Sequence, residues 1–282
     1  EESHFLFAAE DQKGNILGVS GLMTNTGINA PYYNLRRDRT YQVSSSLQKH
    51  VAHSALQLCG DNSGKTLLNS FFVDENSRTP DLMNLLSRAR ILFMKQFEDR
   101  FQNDVIVEFI GITDENQESP FWNAVGLPFF DMEYDQAEQY FATLSPTFIA
   151  ELMPPFPIYE NLLSESARQV IGKHSMDYDD QLRIALAEGF QYSNYFNFFD
   201  AGPCLSAPRR LLKSHQDAEE ICLLSKKADY QEKYLVSNLK GEGFRCLLVE
   251  GLMDAEGALS VNSVNLEALG LDVGDKAMGV AL

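Results

Sequence analysis

Cysteine is scarce in this chain. The four present (Cys59, Cys204, Cys222 and Cys246) stand far apart, with no CxxC pair. That spacing excludes a disulfide-stapled scaffold and a structural zinc site, and it implies reduced, mostly buried thiols in a cytoplasmic setting. Long apolar runs are absent too. No stretch approaches the roughly 18 residues that a membrane-spanning helix needs, and no basic, apolar signal segment opens the chain. Positive charge is also short, with 23 Lys and Arg against 40 Asp and Glu, a net charge of −17. Such a surface repels phosphate backbones, which excludes nucleic acid as a partner, and draws in small cations. Internal repeats and low-complexity tracts are missing.

What is present is a chain of 282 residues, 44% hydrophobic, enough for one large or two modest domains with a real core. Phe5 to Glu10 and Ile16 to Met23 flank a Gly-containing turn, a hairpin pattern. Leu67 to Val73 reads as a strand. Leu82, Leu85, Leu86, Ala89, Leu92, Phe93 and Phe97 then recur at helical spacing, and Val105 to Ile110 is a β-branched strand. Phe121 to Val125 starts a short helix closed by Gly126, and the prolines at 154, 155 and 157 make Ala150 to Pro157 irregular or extended. Helices are expected over Leu162 to Val170 and Asp180 to Glu188, the second stopped by Gly189. A strand follows from Phe190 to Phe199, then a sharp Asp200–Pro203 turn. Periodicity alone supports a mixed α/β layered fold. Past Pro208 the composition changes. Ser214 to Glu232 is polar and charged, a boundary, and the tail to Leu282 alternates short apolar strands with Gly turns, with one helical turn at Leu266 to Leu269. The expected division is therefore 1–208, then 209–282 as linker and small β-rich module.

Several motifs dissolve on inspection. Gly60 to Thr66 imitates a nucleotide P-loop, but three residues separate its glycines where four are required, and a strand follows where a helix should open. His50 and His53 stand at i, i+3 without further ligands, so no metal site is expected. His4 lies at the chain's start and His215 in the charged linker. Trp122 and its SPFW context read as core. Asp200 most simply caps its own turn. The carboxylates Asp114, Glu115, Glu118 and Glu151 could each clamp a guanidinium through bidentate pairing, and the residues do not choose among them.

Four blocks, in order, carry a resemblance: SPFWNAVG (Ser119–Gly126), FIAELMPPFPIY (Phe148–Tyr159), GKHS (Gly172–Ser175) and EGFQYSNYFNFFDAGP (Glu188–Pro203). Together they resemble the arginine N-succinyltransferase family, over residues 1–203 and more weakly into the tail. EESHFLFAAED, SPFWNAVG and a glycine-free loop at Arg78–Met83 are most like the alpha chain of its heteromeric arginine/ornithine branch. The resemblance implies a GNAT-type acyltransferase fold of the α+β kind. It also implies succinyl-CoA as co-substrate rather than a permanently bound cofactor, L-arginine or L-ornithine as acceptor, and a homo- or hetero-oligomer with a related chain. Family members carry further residues ahead of the position of Glu1, so a natural N-terminal segment is expected there.

The same resemblance implies site residues. Phe71, in SFFVDENSR, holds the family's hydrophobic position against succinyl-CoA; the alternative is an ordinary strand residue. The family's proton-donor histidine falls at Ser175, and the nearest imidazole is one place earlier, at His174. An imidazole titrating near neutrality suits proton transfer, so His174 is the catalytic candidate, with a role-free loop histidine as the alternative. Glycines that cradle the CoA pyrophosphate in single-chain relatives are replaced by Arg78-Thr79-Pro80-Asp81-Leu82-Met83. Asp81 either meets the phosphate or simply begins the helix. These departures raise a second expectation: an alpha-type subunit without its own catalysis, supporting a catalytic partner chain.

Overall fold

The computed structural model describes residues 2–225 and 232–282. Strands β1 (His4–Glu10) and β2 (Ile16–Met23) form the expected hairpin, closed by Asp11, whose carboxylate accepts the N–H of Lys13 (2.8 Å) and of Asn15 (2.9 Å). A second hairpin follows, β3 (Asn34–Ser44) with β4 (Lys49–Cys59), in a segment without an element in the sequence reading. Next come β5 (Thr66–Val73), helix α1 (Pro80–Gln96) and β6 (Asp104–Glu108). Four short helices, α2 (Pro120–Val125), α3 (Leu127–Phe130), α4 (Tyr134–Thr143) and α5 (Thr147–Leu152), lead to β7 (Ile158–Tyr159) and α6 (Glu165–Val170). Helix α7 (Asp179–Glu188) ends on Gly189 at φ +104°, as expected, and hands over to β8 (Gln191–Phe196) and β9 (Pro203–Pro208).

Nine of these strands make one sheet in the order β1-β2-β5-β6-β9-β8-β3-β4-β7. Helices α1 and α7 lie on one face, where Ile91, Phe93 and Leu182 pack on Leu22, Leu68, Val105 and Val107. Trp122 anchors the helical insertion, fully buried among Phe130, Phe198 and Phe199, its indole N–H donating to Met132 O at 2.9 Å. Ser119 caps α2 by accepting from Trp122 N, with Pro120 at the first helical position, so SPFW is packing and capping.

The one parallel pair in the sheet is β5 with β6, and its ladder covers only Thr66–Leu68 against Val105–Val107. Beyond it the strands part. On its other side β5 carries a bulge: Val19 pairs with Phe72 and Gly21 with Asn69, so three steps on β5 answer two on β2. Ser70 absorbs the extra residue at φ +49°. Leu68, Phe71 and Val73 consequently pack on the α1 side, while Phe72 stays exposed.

After α8 (Lys213–Gln216) the tail closes into a small barrel. Strands β10 (Glu219–Leu224), β11 (Glu232–Asn238), β12 (Cys246–Met253), β13 (Ala258–Ser260) and β14 (Lys276–Ala281) pair in the order β10-β13-β12-β11-β14, with α9 (Ser263–Leu269). The stretch read as charged boundary thus holds a barrel strand at 219–224, while 226–231 lie outside the described residues. His215 is buried rather than on a solvated linker. The barrel packs on the outer side of α1 through Leu92, Leu235 and Val280, and Gln96 Nε2 donates to Ser237 Oγ and Asn238 O.

Candidate functional site

Where β5 and β6 part, a cavity of about 430 Å³ opens between them and the helices α1 and α7. Asn69, Ser70, Phe71 and Phe72 line it from β5, Glu108 to Ile110 from the end of β6, and Ser87, Arg90 and Ile91 from α1. The bulged segment of β5 lines this slot, and its walls are mostly apolar apart from Arg90, Glu108, Gln181 and Glu188. A flexible amide-bearing chain fits such a space, because the unladdered strand edges offer N–H and C=O groups at regular intervals. Phe71 lies in the lining, its ring 5.4 Å below the Arg90 guanidinium.

Glu108 closes the slot from the far side of the sheet. Strand alternation turns Val107 toward α1 and Glu108 away from it, toward Asn34, Asn197 and Tyr32. Asn34 Nδ2 donates to one carboxylate oxygen and Asn197 Nδ2 to the other, at 3.1 Å. Burial pushes this carboxyl above its ordinary value, although the amide donors and Tyr32 partly offset the effect. A carboxylate held firmly but reluctant to stay charged is suited to accepting a proton. Sequence reading passed over it. The available signal was a single acid interrupting the apolar run Val105-Ile-Val-Glu-Phe-Ile110.

A second cavity, of about 690 Å³, adjoins the slot and shares Ile110 and Tyr178 with it. Its walls carry Glu118, Glu133, Asp135, Glu138 and Asp177, with Tyr134 and Ser175 between them. Glu118 Oε2 is buried without a hydrogen-bond partner among the described residues. Of the four carboxylates weighed from sequence, only Glu118 reaches this cavity. Asp114 ties its own turn by accepting from Asn116 N (2.8 Å) and Glu118 N (3.0 Å), and Glu115 and Glu151 are exposed.

His174 lines neither cavity. Its Nε2 pairs with Asp179 Oδ1 at 2.7 Å, and its ring stands edge-on to Phe109, centroids 6.4 Å apart. Ser175, the next residue, faces the acidic cavity while its N–H donates to Ile110 O at 2.9 Å. Asp200 is buried beneath, accepting from Gly111 N (2.8 Å) and Gly202 N (2.7 Å). Its role in capping the turn is borne out, and burial raises its carboxyl to about 6.

The start of α1 is already occupied. Pro80 has no N–H, Leu82 N donates to Thr79 Oγ1 at 3.2 Å, and Met83 N donates to Thr79 O at 3.0 Å. Asp81 pairs with Lys233 of the barrel at 2.8 Å. Arg78 Nη2 donates to Asp177 O, near the Asp180 carboxylate. The P-loop-like segment is a turn into β5, with Gly64 N donating to Thr26 O. Among the described residues no helix is long and apolar enough to cross a membrane, and no cluster of three or more His, Cys, Asp and Glu could hold a metal ion.

A bulged strand splayed from its parallel neighbour, with the crossover helix beside the opening, defines a GNAT-type acyltransferase fold, here joined to a small C-terminal β-barrel. The family model described as arginine N-succinyltransferase beta subunit matches residues 1–214, and the model of that subunit's C-terminal domain matches 223–281. The chain belongs to the arginine N-succinyltransferase family. It is 36% identical to arginine N-succinyltransferase subunit alpha of Pseudomonas aeruginosa, over all of this chain and 84% of that one, and 35% identical to subunit beta of the same organism, over all of this chain and 83% of that one. The solved arginine/ornithine succinyltransferase subunit AI from Pseudomonas aeruginosa superposes with a TM-score of 0.86 at 31% identity, covering 99% of this chain and 81% of that one.

Proposed function

We propose that this chain transfers the succinyl group of succinyl-CoA to the α-amine of L-arginine, with L-ornithine as a second acceptor. The observation that carries the reading is the slot at the β5–β6 divergence, in a chain of this family. Succinyl-CoA threads its pantetheine arm between the strands, with Phe71 against it. The guanidinium of the acceptor sits among the carboxylates of the acidic cavity, Glu118 foremost. Glu108 takes a proton from the α-ammonium, the free amine attacks the thioester carbon, and the C–S bond breaks as the new amide forms, the nitrogen's second proton passing to solvent. The oxyanion is held by backbone N–H groups of the bulged strand. His174, paired with Asp179 beside Phe109 of the slot, supplies the proton that the departing thiolate takes up. The setting is cytoplasmic, and the working form is an assembly with a related chain. The distal β3–β4 ribbon, residues 39–52, is its contact surface, since Tyr41, Val43, Leu47 and Val51 are exposed there.

A second reading, a subunit that supports a catalytic partner, is favoured by the occupied start of α1 and by Asp81 where the CoA pyrophosphate would approach. Thiol release from succinyl-CoA with arginine or ornithine separates the two, measured for the chain alone and co-expressed with a related subunit from its own genome. Turnover by the chain alone, falling about 10²- to 10⁴-fold in Glu108→Gln and substantially in His174→Ala, is expected. Turnover only in the co-expressed form, untouched by either substitution, makes this chain the supporting subunit. No thiol release in either form counts against both substrates.

A further inference from the structure

Most charged side chains in the slot wall have a partner. Glu188, 2% exposed, is bound by Arg88 Nε at 2.5 Å and by Ser214 N and Oγ at 2.8 and 2.7 Å. Glu108 has its two amides. Arg90 is the exception. It is 5% exposed, and among the described residues no carboxylate pairs with it. Its guanidinium makes two long hydrogen bonds, Nε to Ser87 O and Nη1 to Gly21 O, each 3.3 Å, and lies over the Phe71 ring. Five N–H donors in a fixed fork are thus mostly unspent, in a place where a lone cation is costly. Burial alone pulls its proton affinity down, to a pKa of about 9.

Arg90 also sits at the right depth. The sheet carbonyl it touches belongs to Gly21, which pairs with Asn69, the residue just before the bulge. Its head therefore lies at the ladder end of the slot, one residue beyond Leu68–Val107, the last pair of β5 and β6. Glu108 faces the same opening from the opposite side of the sheet.

We infer that Arg90 is the subsite for the free carboxylate at the end of the acyl chain, so that the slot accepts a dicarboxylic mono-thioester in preference to a neutral acyl-CoA of equal length. The inference rests on the acyltransferase reading and names what decides its acyl specificity. A terminal carboxylate pairs bidentately with the guanidinium and supplies the counter-charge that the fold omits. With that end fixed, the thioester carbon two methylenes away is held back toward the bulge, where Glu108 can serve the incoming amine. A neutral chain end leaves the buried guanidinium unpaired, which is how a polar pocket rejects an apolar analogue.

The test compares succinyl-CoA with butyryl-CoA, which replaces the carboxylate by a methyl group, in wild type, Arg90→Met and Arg90→Lys. Both binding by calorimetry and turnover are measured. Arg90→Met is expected to cut the succinyl-over-butyryl preference by roughly 10²- to 10³-fold, while Arg90→Lys keeps part of it. Arg90→Met should also hold or raise the melting temperature, since an unpaired buried charge is being replaced by an apolar chain of similar length. Equal losses for both thioesters, or a fall in melting temperature with the preference intact, would make Arg90 a structural tie to Gly21 and Ser87 and overturn the inference. A rise confined to the KM for arginine would assign it to the acceptor instead. Wild type that binds both thioesters equally sinks the Arg90 inference alone; wild type that binds neither sinks the acyltransferase reading with it.

Discussion

Two buried residues show how the same burial acts in opposite directions on acids and bases. Glu108 is pushed toward its neutral acid form, and His215 toward its neutral base form at a pKa of about 4, against an ordinary 6.5. His215 sits under Lys95, Glu98 and Arg209, with Glu98 Oε1 3.5 Å away, and among the described residues its Nε2 makes no hydrogen bond. As pH falls from 6.5 toward 4 the unfolded chain takes up a proton that the folded one refuses. The contribution of His215 to stability is therefore intact above pH 6.5 and lost through that window. Urea midpoints compared at pH 7.5 and pH 5 should fall less in His215→Gln than in wild type. Neither residue advertised itself in the sequence. His215 stands in a polar stretch, and its burial depends on the barrel folding back over α1. Glu108 differs from a solvated acid only by its apolar neighbours.

The elements built on local rules were legible. The β1–β2 turn, α1 with its Thr79-Pro80 start, and α7 with its Gly189 stop need only residues close in sequence. The turn at Asp200 was also foreseen, but not how tightly it is packed. A methyl group on Gly202 would lie 2.0 Å from Phe109 O and 2.7 Å from Gly111 N, backbone atoms that cannot swing aside. Gly202→Ala should therefore cost about 2–4 kcal/mol, visible as a lower melting temperature in calorimetry. The β3–β4 hairpin was missed because its outer half is exposed on both faces, and the brief alternation Tyr41-Gln42-Val43-Ser44 on β3 has no counterpart in Lys49–His53 of β4. The four blocks carried the family, but they could not say which side of its loop His174 would take. The reason lies at Ser175, whose backbone is tied to Ile110 and whose side chain takes the cavity.

At the scale of the whole molecule, under the proposed function, the charge of −17 and the five carboxylates of the second cavity act together on a cationic acceptor. The KM for arginine should rise several-fold between 20 and 300 mM salt, roughly the range over which screening shortens to molecular dimensions, while the KM for the anionic thioester should fall or hold. Steady-state kinetics across that range would reveal a mere ionic-strength artefact as parallel changes in both. The barrel belongs to this scale as well. It covers the side of α1 that the sheet leaves open, so the helix bearing Arg90 is gripped from two directions.

The irregularity in β5 is a single spare residue, and that number matters. Removing one residue at Ser70 would leave Leu68, Phe71 and Val73 on the side they already occupy, now in unbroken succession, and the seam with β2 would heal. The slot thus opens beside the one place in the weave where β5 has a residue to spare.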